Sequence, residues 1–114
     1  MPDGRSSGIT VEWTGGVPTV TVHGELDPGR ASQARERIAG VLRDCPRRLV
    51  LDLLGVSDRH NAECLALIAV ARHLLPSGCA FTVRSDDPAV RQILGLAGWS
   101  GVQVLGGTEE PEAV

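Results

Sequence analysis

Between Ile9 and Trp13 apolar and polar residues alternate with the period of a strand, and the alternation resumes from Thr19 to His23. Gly15-Gly16 lies between the two runs, so the segment predicts an antiparallel β-hairpin. From about Pro28 to Arg43 the spacing becomes helical, with Ala31, Ala34, Ile38, Val41 and Leu42 on one stripe. Asp27 stands where an N-cap belongs, and Pro28 fits the first turn because its missing N–H is not needed there. Pro46 breaks the chain. Arg48 to Leu54 is an apolar, β-branched run holding one acid, Asp52, and predicts a buried central strand. A loop, Gly55-Val56-Ser57-Asp58-Arg59-His60-Asn61, follows. Ala62 to Leu75 places Leu65, Ile68, Ala69, Arg72 and Leu75 at helical spacing before Pro76 and Gly78 end it. Cys79 to Arg84 predicts another strand. Asp86-Asp87-Pro88 opens a third helix by the cap-then-proline device, Gly98 closes it, and Val102 to Leu105 predicts a short last strand.

The order is β-β-α-β-α-β-α-β. Strands alternating with helices predict an α/β domain whose sheet is mostly parallel, made mixed by the hairpin and flanked by helices. One domain is expected over residues 9–105. Residues 1–8 read as a flexible lead-in, and the acidic tail 106–114 reads as disordered. Right-handed crossovers place the loop after the Arg48–Leu54 strand at the carboxyl end of the sheet, where function usually sits.

Composition narrows the function classes. The chain has 114 residues, 42% hydrophobic, and carries a net charge of -3, so it can bury a core and offers no electrostatic footprint for nucleic acid. Trp13, Phe81 and Trp99 are the aromatic residues, too few for a base-stacking surface. No apolar run approaches a membrane span, and the start lacks the apolar stretch of a secretory signal. Cys45, Cys64 and Cys79 make an odd number, which points to free thiols in a reducing compartment, the cytoplasm.

Four segments in order carry a family resemblance. They are Gly24-Glu25-Leu26-Asp27, then Leu49-Val50-Leu51-Asp52-Leu53-Leu54-Gly55-Val56, then Ala69-Val70-Ala71-Arg72, and Pro88-Ala89-Val90-Arg91-Gln92-Ile93-Leu94-Gly95-Leu96-Ala97-Gly98. In this series the chain resembles the STAS family, the anti-sigma-factor-antagonist domain, over about residues 9–105. The resemblance implies a bacterial regulator of transcription that binds a protein partner, such as a kinase-type anti-sigma factor, without catalysis. Switch-type members of that family carry Asp-Ser-Ser-Gly-Leu at the start of the second helix, and the first Ser takes a phosphate. Counted without a gap from Gly55-Val56, that segment falls on His60-Asn61-Ala62-Glu63-Cys64, with Asn61 at the acceptor position. Sliding by one puts Ala62 there. Neither register supplies a hydroxyl, so the phospho-switch is expected to be lost. Asp58-Arg59-His60 departs further, since switch-type members tend to be apolar at the first two of those positions.

Other readings of the same residues stay open. Asn61 can be a neutral helix cap, and Glu63 a first-turn acid favoured by the helix dipole. Ser57 is the nearest hydroxyl to the degenerate segment. Asp52 is expected to be a buried carboxylate that needs a partner, and its place in the family pattern implies a hydrogen bond to a nearby loop. His60 and Cys64, four apart, suggest zinc with His73 or Cys79, but four convergent ligands at a family-like spacing are missing. Cys64 near a helix start, beside His60 and with Asp52, suggests a small enzyme, because a helix N-terminus lowers a thiol pKa. No third orienting group supports it. The sequence therefore favours a non-enzymatic module with no metal and no cofactor. Its expected contact residues are Glu25, Asp27, Arg59, His60, Asn61, Ala62, Glu63 and Cys64. An accessory or scaffold subunit of a larger complex, such as a transporter assembly, is the second reading, and self-association is left open.

Overall fold

The structure, a computed structural model, describes residues 8–56, 61–97 and 102–105. The hairpin consists of β1 (Ile9–Thr14) and β2 (Val17–Gly24), joined by Gly15 and Gly16, both at positive φ. Then come α1 (Pro28–Leu42), β3 (Arg48–Val56), α2 (Asn61–Leu74), β4 (Ala80–Arg84), α3 (Pro88–Ala97) and β5 (Val102–Leu105). They form one five-stranded sheet in the order β1-β2-β3-β4-β5. The β1–β2 pair is antiparallel and every later pair is parallel.

Strand order repeats chain order, so the β-α-β crossovers all step the same way across the sheet. Right-handed crossovers of that kind put their helices on one face, and α1 packs beside α2, and α2 beside α3. That face holds the core: Val20 and Val22 of β2, Leu49, Leu51 and Leu53 of β3, and Phe81 and Val83 of β4 meet Ile38 of α1 and Leu67 and Ile68 of α2. The opposite face presents Thr19, Thr21, Val50, Asp52 and Arg84, all half-buried. The β3 strand is central as expected, but only its alternate residues are buried. An unbroken apolar run suggested cover on both faces, and the all-same-side crossovers supply it on one.

Two boundaries differ from the sequence reading in ways that matter for the rim. The strand β3 continues through Gly55 and Val56, which pair with His23 and Gly24 of β2. The pairing steps from Thr21↔Asp52 to His23↔Gly55, so β3 holds one extra residue there, a β-bulge. At the other end, Gly8 falls in the segment that reads as a flexible lead-in. It is instead buried, and its carbonyl accepts a hydrogen bond from the His23 N–H at 2.8 Å. A Cβ on Gly8 would meet the His23 carbonyl oxygen at 2.2 Å, and one on Gly55 would meet the His23 Cβ at 2.7 Å. These glycines let three backbone segments close around His23. Residues 1–7 and the acidic tail 106–114 lie outside the described residues.

Candidate functional site

The carboxyl ends of β2, β3 and β4 lead to one rim, where the N-termini of the three helices also start. The first segment there is Gly24-Glu25-Leu26-Asp27. Leu26 is buried, and this anchors the turn while Glu25 and Asp27 stay exposed. Asp27 caps α1: its carboxylate accepts from the Arg30 N–H at 2.8 Å, and Pro28 occupies the first turn. Arg30 then reaches back, and its guanidinium donates to the Glu25 carbonyl at 3.2 Å and the His23 carbonyl at 3.4 Å. This clamp was missed from sequence. The available signal was an arginine three residues after a capping aspartate, too common a pattern to single out.

Asp52 lies just below the rim. It is half-buried on the face away from the helices, opposite Arg84 of β4. Its carboxylate accepts from the Leu54 N–H at 3.0 Å. The expected buried acid bonded to a loop is therefore a half-exposed acid bonded within its own strand. The bulge explains the change, because it takes Leu54 out of the ladder and frees its N–H.

Asn61 is the first residue of α2, one position inside the expected cap; its side chain lies outside the described residues. Ala62 is exposed and Glu63 is half-buried in the first turn. Ser57, Asp58, Arg59 and His60 lie outside the described residues. Cys64 is a correction on two counts. It is only 5% exposed and belongs to the core, so it drops out of the expected contact surface. Its thiol is raised to about 11 by burial, and then by the charges of Asp87 and Glu63. The expected lowering by the helix N-terminus is overcome by desolvation and by two carboxylates. A thiol that stays protonated at neutral pH is a poor nucleophile.

Asp87 brings α3 into the same rim, which the sequence did not reveal. It caps α3 by accepting from the Ala89 N–H at 2.9 Å, and its own N–H donates to the Ser85 hydroxyl at 3.2 Å. Thus Glu25, Asp27, Glu63, Asp86 and Asp87 share one end of the domain. Of the residues considered for zinc, Cys64 sits at the start of α2 and Cys79 precedes β4 at the other end of the sheet, while His60 lies outside the described residues. Among the described residues no group of three His, Cys, Asp or Glu side chains is placed to hold a metal. No described helix is long and apolar enough to cross a membrane.

Comparison with known proteins adds two findings. A family model described as "Mlab, STAS domain" matches residues 9–106. The crystal structure of an anti-sigma factor antagonist from Mycobacterium paratuberculosis is 30% identical, with a TM-score of 0.70, over 85% of this chain and 83% of that one. No curated protein matches the chain.

Proposed function

The chain belongs to the STAS domain family, and from that membership we propose that it is a protein-binding regulatory module that works without phosphorylation. The observation that carries this reading is the segment His60-Asn61-Ala62-Glu63-Cys64 at the start of α2, which has no hydroxyl. A phosphate in the first turn of a helix would add a charge of about -1.5 to -2 and repel an acidic or apolar partner surface. Asn61 offers a polar, neutral side chain that cannot take that charge. Glu63 supplies one permanent negative charge in the same turn, with fewer oxygens than a phosphate. The module is thus set in one state, and control of binding falls to the abundance of the partners.

The proposed contact surface is Glu25, Asp27, Arg59, His60, Asn61, Ala62 and Glu63. The proposed surface carries both signs of charge, Glu25, Asp27 and Glu63 together with Arg59, and favours a partner that sets an opposite charge against each, because complementary charge speeds encounter. Asp27 also caps α1, so Glu25 and Arg59 are cleaner probes than Asp27. With a partner recovered by pull-down, the charge reversals Glu25→Lys and Arg59→Glu are each expected to weaken binding by about tenfold, roughly 1.4 kcal/mol. Circular dichroism should show the fold unchanged. Incubation with ATP and a serine kinase of the anti-sigma type should leave residues 57–64 free of phosphate by mass spectrometry, while Asn61→Ser should restore a site. A phosphate on Ser57 of the native chain would sink the phosphorylation-free reading. Unchanged affinity in both charge variants would move the interface elsewhere.

A second reading, an accessory subunit of a larger assembly, is favoured by the polar Asp58-Arg59-His60 stretch and by a family description other than that of the solved antagonist. It uses the same rim. Pull-down separates the two readings by what is recovered, a single kinase-like protein or a multisubunit complex.

A further inference from the structure

At the end of the sheet opposite the rim, two short loops run side by side. One links α1 to β3 and carries Cys45; the other links α2 to β4 and carries Cys79. The strands β3 and β4 begin in register at Arg48↔Ala80, and the Ala80 N–H donates to the Arg47 carbonyl at 2.9 Å, so pairing extends into the loop that holds Cys45. Each cysteine closes a turn. The Cys45 N–H donates to the Leu42 carbonyl at 3.0 Å, and the Cys79 N–H donates to the Pro76 carbonyl at 3.1 Å. Cys45 is exposed and Cys79 is half-buried. Cys45 also holds a φ of 50°, the left-handed region that residues with a side chain rarely enter.

We infer that Cys45 and Cys79 are an oxidation site that closes into an intramolecular disulfide when the protein meets a peroxide. Burial pushes the Cys79 thiol up, the Arg48 guanidinium pulls it down, and Cys45 pushes it up again.

The chemistry takes two steps and one peroxide. Cys45, the exposed member, attacks hydrogen peroxide as its thiolate. One oxygen is transferred to sulfur, giving a sulfenic acid, and the other leaves as hydroxide, which takes up the thiol's proton as water. The Cys79 sulfur then attacks the sulfenic sulfur. The S–S bond forms, and hydroxide leaves with the Cys79 proton as a second water. Two thiols are oxidised and one peroxide is reduced to two waters. Arg48 offsets part of the rise that burial imposes on the Cys79 thiol. The pair lies away from the rim, so this inference stands apart from the proposed partner surface.

The test is hydrogen peroxide on the full-length native protein, followed by capping of free thiols, trypsin digestion without reductant and mass spectrometry. Cleavage after Arg43, Arg47, Arg72 and Arg84 releases Cys45 and Cys79 on separate peptides, residues 44–47 and 73–84. The expected product is these two peptides joined, lighter by two hydrogens than their sum. Cys45→Ser and Cys79→Ser should each abolish it. In Cys79→Ser the Cys45 sulfenic acid should persist and be trapped by dimedone. Further oxidation of Cys45 with the Cys79 thiol untouched would overturn the inference. So would a Cys45-linked dimer as the main product, or a crosslink that forms only after denaturation.

Discussion

The Cys64 thiol shows how one residue answers to several elements at once. Its place on α2 buries it, and Asp87 from the α3 cap adds a charge that no reading of α2 alone would supply. The effect is measurable because the chain has no tyrosine and all eleven of its basic residues are arginine. Between pH 9 and 11 the side chains that titrate are thus the cysteines. Below pH 9 the thiol is protonated in both folded and unfolded chains, and stability is unaffected. Above it the unfolded chain ionises first, while the folded chain holds its proton until about 11. Stability therefore falls as pH rises through this window, by on the order of 2 kcal/mol for a shift of this size. Urea midpoints measured from pH 8 to 11 should show the fall, and Cys64→Ala should flatten most of it. An equal fall in the variant would assign the loss to another group, Cys79 first, whose thiol burial also pushes up. The burial of Cys64 takes it out of the contact surface expected from sequence, and the charge on it was not legible, because Asp87 arrives through the fold.

At the scale of elements, caps were legible and the bulge was not. Asp-Pro before α1 and Asp-Asp-Pro before α3 signal helix starts because the capping oxygen and the missing proline N–H act within a few residues. Both caps form as read. Asp27→Ala should cost about 1 kcal/mol in chemical denaturation. The bulge in β3 depends instead on how β3 meets β2, a contact between segments some thirty residues apart in the pairing Val20↔Leu51. Local pattern carries no such information, so it ends β3 at Leu54 and makes Asp52 a buried acid. Asp52→Ala should cost about 1 kcal/mol by leaving the Leu54 N–H to water. Asp52→Asn keeps an acceptor oxygen and should cost less. The Arg30 clamp is likewise a property of the folded turn: it ties α1 to carbonyls of the segment before it.

For the whole molecule, the fold class and the order of elements were readable from periodicity and turn signals, since strands and helices alternate after the hairpin. The side of the sheet that each residue faces was harder, because Val50 and Leu51 look alike in sequence. Leu51 is fully buried under the helices, and Val50 is half-buried on the other face. Leu51→Ala should cost about 3 kcal/mol or more in urea denaturation, whereas Val50→Ala should cost about 1. Similar losses at both positions would mean that the second face is packed as tightly as the first. The agreement between strand order and chain order has a consequence for how the protein is made. No strand has to wait for a later one to arrive between it and its neighbour. On the ribosome the hairpin can close first, and each emerging helix and strand can dock on the free edge left by the last. Biosynthesis can then extend the sheet in one direction, and no pairing already made has to be reopened.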